Sequence, residues 1–128
     1  MTDILTVPFE LYSSKNSKRI LFNKATGRSF VAKSKQSERN EKDLIQVLTL
    51  YRQTFFAMIK GKEKPYRIHF KIYRQTKRRF DYVNIVQGLL DSMTKAGLIE
   101  DDNADILIPV FEPYEVDKHN PRTLMWIE

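Results

Sequence analysis

Acidic side chains are concentrated in one short stretch of the sequence, GLIEDDNADI, residues 97–106. It holds four carboxylates, Glu100, Asp101, Asp102 and Asp105. Adjacent carboxylates repel one another, and a hard cation such as Mg²⁺, which prefers oxygen ligands, relieves that repulsion. A cation held in this way can neutralise a phosphodiester and make a water molecule nucleophilic. The stretch is therefore a candidate cation site, and the alternative is an ordinary solvated turn.

One further aspartate, Asp81, stands immediately before a predicted helix, residues 82–96, and the acidic stretch follows that helix. A helix of this length is about 22 Å long, so the helix by itself keeps the two groups apart. Asp101 and Asp102 reach Asp81 only if the chain after the helix doubles back along it as a strand, for which Leu98–Ile99 is a suitable start. The alternative for Asp81 is a helix N-cap.

Basic residues are concentrated in the other part of the chain. Residues 1–79 contain 19 Lys and Arg against 6 Asp and Glu, whereas residues 80–128 contain 3 against 10. A strongly basic surface attracts polyanions such as nucleic acid. Two ordinary solvated faces are the alternative. The candidate DNA-binding residues lie in a loop near the start and immediately before Asp81: Lys15, Asn16, Lys18, Arg19, Lys77, Arg78 and Arg79.

Length and composition limit the class of protein. The 128 residues, of which 41% are hydrophobic, predict a single folded domain over residues 1–128. The absence of cysteine excludes disulfides and thiolate metal sites, and His69 and His119 have no partner at the spacing of zinc ligands. The N-terminal residues do not resemble a signal peptide, and no segment approaches the ~18 apolar residues of a membrane span. We therefore expect a cytoplasmic protein that makes no membrane contact.

The positions of the strands follow from alternating apolar residues and turn residues. These patterns predict a hairpin over residues 19–33, with its turn at Asn23–Gly27, and strands at residues 4–12, 65–74, 104–116 and 122–128. Tyr66, Ile68, Phe70 and Ile72 share the apolar face of the strand at 65–74. The opposite face is predicted to be basic and solvent-exposed, with Arg67, His69, Lys71 and Arg74.

Helical spacing of apolar residues predicts two main helices. The first spans about residues 35–60, with Ser34 or Ser37 as N-cap and Gly61 beyond its end. The second, residues 82–96, is followed by Gly97 at a position typical of a helix end. Its apolar stripe comprises Val83, Val86, Leu89, Leu90 and Met93. The order of strands and helices predicts an α+β fold, with a small mixed sheet and two main helices.

Residues 78–103, RRFDYVNIVQGLLDSMTKAGLIEDDN, resemble the central motif of the RusA family of Holliday junction resolvases, which occurs in bacteria and their phages. That motif has an arginine-rich lead, the pattern D-x-D-N-x-x-K, a helix, a glycine and a D-D pair. The segments SSKNSKR and TGRSFVAKSK near the start, and DKHNPRTLMWIE at the end, also fit phage members. The resemblance therefore covers nearly the whole chain in order.

The resemblance implies a RusA-like homodimer that cuts branched DNA with Mg²⁺ held by carboxylates, with Mn²⁺ as the alternative ion. Asp81 matches the first motif aspartate and Asn84 the motif asparagine. Asp101 and Asp102 match the D-D pair, with Asp102 at the aspartate held to be essential. The implied catalytic and metal-binding residues are therefore Asp81, Asp101 and Asp102. The implied location is the cytoplasm of a bacterium or of a phage-infected host cell.

Two positions depart from the motif. Val83 stands where the second aspartate belongs, and Gln87 stands where the lysine belongs. Valine cannot bind Mg²⁺, and glutamine supplies no positive charge to a phosphate. Asp91 also has an ordinary alternative role as the ion-pair partner of Lys95, four residues further on. The residues that could support or replace the missing groups are Asn84, Gln87, Asp91 and Glu100.

The sequence thus leads to two hypotheses. The first is an Mg²⁺-dependent, structure-selective endonuclease that resolves Holliday junctions or other branched DNA during recombination or phage replication. The alternative is a junction-binding protein of the same fold whose catalysis is weak or lost, which Val83 and Gln87 favour. A generic nucleic-acid-binding module would leave the acidic stretch unexplained.

Overall fold

The computed structural model describes residues 3–13 and 18–128 of the chain. Within them the chain forms three helices, two of them nearly continuous, and strands that belong to two sheets. The strands are β1 (Leu5–Val7), β2 (Lys18–Asn23), β3 (Arg28–Lys33), β4 (Tyr66–Arg74), β5 (Leu107–Phe111), β6 (Glu115–Val116) and β7 (Arg122–Ile127). The helices are α1 (Lys35–Leu50), α2 (Arg52–Ile59) and α3 (Tyr82–Lys95). The predicted α+β class is confirmed.

The main sheet is mixed, as predicted. Its strand order is β1-β7-β4-β5, and β6 pairs with the carboxyl-terminal end of β4. β4 is antiparallel to β7 but parallel to β5 and β6. Parallel neighbours need a crossover connection, and α3 supplies it between β4 and β5. The loop that leads from β4 into α3, residues 75–81, therefore lies at the carboxyl end of the central strand.

The hydrophobic core lies between one face of the main sheet and the helices. From β4 it takes Ile68, Phe70 and Ile72, all nearly inaccessible to solvent. The buried stripe of α3 contains Ile85, Val86, Leu89, Leu90 and Met93. Val83 was predicted in this stripe, but it is 63% exposed. At about 100° per residue, it points roughly a quarter turn away from the centre of the stripe.

The long helix predicted over residues 35–60 is divided in two. Tyr51 separates α1 from α2 with φ −91° and ψ 3°, and its N–H donates to the Leu48 carbonyl at 3.0 Å. Residues 3–13 and 18–128 therefore contain three helices where two were predicted. The Ser34 side chain accepts from the Ser37 N–H at 3.1 Å, which confirms Ser34 as an N-cap. None of the helices in the described ranges has the length and apolar character required to cross a bilayer.

Several predicted strands are shorter than expected, and two side chains of β4 differ from the prediction in their exposure to solvent. The first covers only Leu5–Val7, and the segment 104–116 is interrupted between β5 and β6, where Pro113 has no N–H to donate. Arg74 was assigned to the exposed face of β4, but it is 9% exposed because it has the same parity as the buried residues of that strand. His69 is only half-buried, yet its ring stacks on Trp126 with 5.3 Å between centroids instead of facing open solvent.

The hairpin predicted over residues 19–33 is confirmed as β2 and β3. The two strands form a separate two-stranded antiparallel sheet. The Asn23 side-chain oxygen accepts from the backbone N–H groups of Ala25 at 3.0 Å and Thr26 at 3.4 Å. Gly27 has φ +69°, a left-handed conformation that glycine adopts without a steric penalty. Local turn chemistry therefore fixes the tip of this hairpin.

Candidate nucleic-acid and cation site

Asp81 occupies the N-cap position of α3, but its side chain makes no capping hydrogen bond. Instead, the Asn84 amide donates to Asp81 Oδ2 at 3.2 Å. The N-terminus of the helix still favours a negative charge at this position. The alternative prediction, that Asp81 is the N-cap residue of this helix, is therefore confirmed by its position, although its side chain makes no capping hydrogen bond with the first turn. The two residues that match the first part of the family motif lie in direct contact.

A cleft of about 560 Å³ opens beside Asp81 and Asn84. Arginines from the end of β4 and from the following loop contribute to its lining: Arg74, Arg78 and Arg79. Arg78 and Arg79 are exposed, and neither makes an ion pair with another residue in the described part of the chain. Lys77 is exposed on the same loop. Guanidinium groups without a protein carboxylate are available to bind phosphate.

Arg74 differs from the other two arginines because protein groups already compensate its charge. Its Nε lies 3.1 Å from Glu10 Oε1, and the two side chains are only 11% and 10% exposed. The Nε–H is not directed at the carboxylate well enough to form a hydrogen bond, so the contact is an ion pair only. The guanidinium also lies over the Phe80 ring, 4.5 Å from its centroid. Arg74 therefore builds the floor of the cleft.

Gln87, at the position of the motif lysine, lies between two aspartates. Its Nε2 donates to Asp91 Oδ1 at 3.0 Å and to Asp102 Oδ2 at 3.2 Å. The chain after α3 therefore returns along the helix as far as Gln87. Residues 98–103 make this return as bends and irregular chain, not as the predicted strand. Leu98 and Ile99 anchor it in the core, where they are 3% and 6% exposed.

Asp101 is engaged in its own turn. Its Oδ1 accepts from the Asp102 backbone N–H at 2.8 Å, and its Oδ2 accepts from the Asn103 amide at 3.1 Å. These hydrogen bonds favour the charged carboxylate, the bond from Asp102 most, and they lower the pKa of Asp101 from its ordinary value of 3.8. Asp101 thus shapes the turn that carries Asp102 towards α3.

A pH-dependent contribution of Asp101 to stability follows. Because its pKa is lower in the folded state, its contribution is complete above the unfolded value near 3.8 and disappears as the pH falls through the folded pKa. We expect Asp101→Asn to lower the melting temperature at pH 7, and we expect the difference from the unaltered protein to close in acid. Thermal unfolding followed by circular dichroism across this pH range measures it. Asp105→Asn is the matched control, and a difference that does not vary with pH would contradict the interpretation.

Two other charged side chains near the acidic stretch have partners of their own. Glu100 pairs with Lys64 at 2.7 Å, and this contact raises the pKa of the lysine. Lys95 pairs with Glu41, so the predicted alternative of an Asp91–Lys95 ion pair is wrong. Asp91 is turned towards Gln87 instead. Of the candidates to support or replace missing groups, Asn84 contacts Asp81 and Gln87 contacts Asp102, whereas Asp91 contacts Gln87 and Glu100 contacts Lys64.

The predicted metal ligands do not form one compact group. Among residues 3–13 and 18–128, no group of three or more His, Cys, Asp or Glu side chains could hold a metal ion. Asp102 and Asp91 both accept hydrogen bonds from the Gln87 amide, whereas Asp81 accepts one from Asn84. Gln87 follows Asp81 by six residues, about 9 Å along the helix axis. Proteins commonly hold Mg²⁺ with one or two carboxylates and several waters, so the donor chemistry of Asp91 and Asp102 fits this ion.

The remaining predicted DNA-binding residues lie near the start of the chain. Lys15 and Asn16 are outside the described residues, and only the backbone of Lys18 and Arg19 is described, at the start of β2. Sequence reasoning missed the contribution of Arg74 to the cleft. The signal was available, since Arg74 continues the period-two series of the buried residues in β4.

Comparison with known proteins adds no family assignment. No protein-family model matches the chain. No curated protein matches it either.

Proposed function

We propose that this protein is an Mg²⁺-dependent, structure-selective endonuclease of the RusA type that resolves Holliday junctions or other branched DNA in recombination or phage replication. Mn²⁺ is the alternative ion. The proposal includes a homodimer, because two strands of a junction must be cut, and a location in the cytoplasm of a bacterium or a phage-infected host. The observation that carries it is the arginine-lined cleft beside Asp81 and Asn84.

The charge distribution around the cleft supports binding of a DNA backbone. Arg78 and Arg79 line the cleft on the same loop as Lys77, immediately before Asp81. Arginine forms paired hydrogen bonds with phosphate oxygens, and contacts of this kind position a protein on DNA without reading sequence. If the cleft only bound phosphate, the Asp81 carboxylate beside these arginines would be unfavourable, because it repels the phosphate charge. It is useful where a cation must also be held next to a phosphate.

The second acidic group supports a role for a cation. Asp91 and Asp102 are the residues that would hold it, because their carboxylates already converge on one Gln87 amide. A bound Mg²⁺ would neutralise phosphate charge and supply an activated water. Gln87 keeps the two carboxylates together without cancelling their charge. Asp101 orients Asp102 through the turn hydrogen bond to its backbone N–H.

A junction-binding protein with weak or lost catalysis is the second candidate. Two observations favour it. Val83 offers no oxygen at the position of the second motif aspartate, and it is 63% exposed. The neutral Gln87 replaces the motif lysine, and its N–H groups are used by protein carboxylates. Both candidates use the same basic cleft, so binding alone does not distinguish them.

One experiment separates the two candidates. Purified protein is incubated with a labelled four-way junction, with and without Mg²⁺, and the products are run on native and denaturing gels. Strand cleavage only with Mg²⁺ selects the endonuclease. A stable mobility shift without cleavage selects the binding protein. If the protein neither shifts nor cleaves the junction, both candidates are contradicted.

Binding to DNA should depend steeply on salt. Each phosphate contact releases counterions, and the logarithm of the affinity falls with the logarithm of salt concentration by about 0.9 per contact. We expect the double substitution Arg78→Gln with Arg79→Gln to reduce this slope by about two. Fluorescence anisotropy with a labelled junction at several salt concentrations measures it. Lys60→Gln, at the exposed end of α2, is the control; an affinity unchanged by salt would contradict electrostatic binding.

Restoring the motif should improve catalysis. The exposed position of Val83 can accept an aspartate without a cavity or a clash in the core. A lysine at position 87 would restore the positive charge of the motif and direct it at a bound phosphate. We expect Val83→Asp with Gln87→Lys to raise the cleavage rate on the order of tenfold, more than either change alone. If the natural protein cleaves junctions rapidly and both changes slow it, the two departures are not losses.

A further inference from the structure

The β2–β3 hairpin exposes large apolar side chains. Ile20, Phe22 and Val31 are 76%, 62% and 65% exposed. The register pairs Ile20 with Val31 and Phe22 with Ser29. Because opposite residues of an antiparallel pair project to the same side, these three apolar residues share one face. Phe30, which pairs with Leu21, projects to the other face and is 47% exposed.

This hairpin is not part of the main sheet. Among the strands that the structure describes, β2 and β3 pair with each other and with no third strand. An isolated two-stranded hairpin is at best marginally stable in water, and a contiguous exposed apolar patch indicates an interaction surface. Its tip is nevertheless well defined, because Asn23 bonds two backbone N–H groups and Gly27 closes the turn. Phe22 directly precedes that turn and so lies near the tip of the hairpin.

Charge decides which partner fits this surface. Residues 18–33 contain five Lys and Arg and no Asp or Glu. A second copy of the chain would present the same positive charge, so hairpin-to-hairpin association is opposed by repulsion. A nucleic acid has the complementary charge, and its bases offer apolar faces. Bases that have lost a stacking neighbour stack on aromatic side chains, and apolar wedges enter between base steps.

We propose that the hairpin binds unstacked bases at the branch point of DNA, with Phe22 as the stacking side chain and Ile20 and Val31 as its apolar support. This inference rests on the proposed function, which it deepens by naming a second DNA-binding element. The cleft beside Asp81 holds backbone phosphates. The hairpin distinguishes a branch point, where bases are accessible, from continuous duplex, where they are not.

Three substitutions test the role of Phe22 with Mg²⁺ absent, so that no cleavage occurs. We expect Phe22→Ala to weaken binding to a four-way junction about tenfold, a typical loss for one base–aromatic stack, and to leave binding to a linear duplex of the same sequence unchanged. Phe22→Tyr keeps the ring and should bind the junction as the unaltered protein does. Leu50→Ala removes an apolar side chain that is 84% exposed on α1, and it should change neither affinity.

A fluorescent base analogue at the branch point gives a second readout. Its fluorescence should change when the unaltered protein binds, and this change should be lost with Phe22→Ala. Equal junction affinities for Phe22→Ala and the unaltered protein would overturn the inference while leaving the proposed function intact. The double substitution Ile20→Ser with Phe22→Ser gives another outcome that would overturn it. If this variant is a monomer where the unaltered protein is a dimer, and its affinity for DNA is unchanged, the hairpin binds a second copy of the chain and not DNA bases. If the unaltered protein does not prefer junction to duplex, the proposed function fails as well.

Discussion

Replacing Asp102 with asparagine should lower the rate of junction cleavage about a thousandfold. Asp102 is the member of the D-D pair that the turn at Asp101 brings beside Gln87 and Asp91. Loss of its charge removes one of the two carboxylates available to a cation. A metal ion contributes several kcal/mol to stabilising the transition state, and each 1.36 kcal/mol is a factor of ten in rate, so a loss on the order of 10³ follows.

Asparagine keeps the shape of the side chain, and its oxygen can still accept from Gln87, so the Asp102→Asn variant should fold and bind junctions with nearly unchanged affinity. Single-turnover cleavage of a labelled junction, measured across a series of Mg²⁺ concentrations, gives the rate. Asp105→Asn is the matched control, because it removes a carboxylate from the same stretch without touching Gln87. Cleavage by the Asp102 variant at the rate of the control would remove Asp102 from the site.

Replacing Glu10 with glutamine should lower the free energy of unfolding by about 3 kcal/mol, the low end of the range for breaking a buried ion pair. Arg74 and Glu10 are only 11% and 10% exposed, so the substitution leaves the guanidinium with little solvent and without its ion-pair partner. The cation–π contact with Phe80 remains, but it compensates only part of that loss. Urea denaturation at neutral pH measures the change.

Two further variants define this effect. Glu10→Gln with Arg74→Met removes both charges and should recover most of the lost stability, because burying an uncompensated charge is the main cost. Glu100→Gln breaks the exposed pair with Lys64, in which the side chains are 76% and 42% exposed, and should lower the stability far less than Glu10→Gln, because solvent screens an exposed pair. Equal losses for Glu10→Gln and Glu100→Gln would contradict the assignment of Arg74 to the structural floor of the cleft.

Local patterns were sufficient for the elements with strong periodicity. The alternation of β4, the stripe of α3 and the turn at Asn23–Gly27 each depend on residues close in sequence, and each element was predicted within a few residues. The break at Tyr51 was not predicted, because the apolar spacing continues across it. The spacing was misleading there, since Leu50 at the end of α1 is 84% exposed. Val83 was misplaced because an apolar residue at the margin of a helical stripe can face either way.

The candidate site was only partly accessible to sequence reasoning. That Asp102 approaches α3 depends on how residues 98–103 return, and burial of Leu98 and Ile99 determines that path. No short pattern encodes such a return. The contact between Asp81 and Asn84 and the contact between Gln87 and Asp91 each join residues three or four positions apart, and they follow from that spacing. Convergence of Asp81, Asp101 and Asp102 required a tertiary geometry that spacing does not determine.

Mapping the cut positions on a four-way junction at nucleotide resolution tests the central claim most directly. Each strand of the junction is labelled in turn, and the products formed with Mg²⁺ are compared with those formed without it. The account predicts a pair of nicks at symmetry-related positions close to the branch point, present only with Mg²⁺ and absent with Asp102→Asn. Intact strands under all conditions, or nicks scattered along the duplex arms, would contradict it.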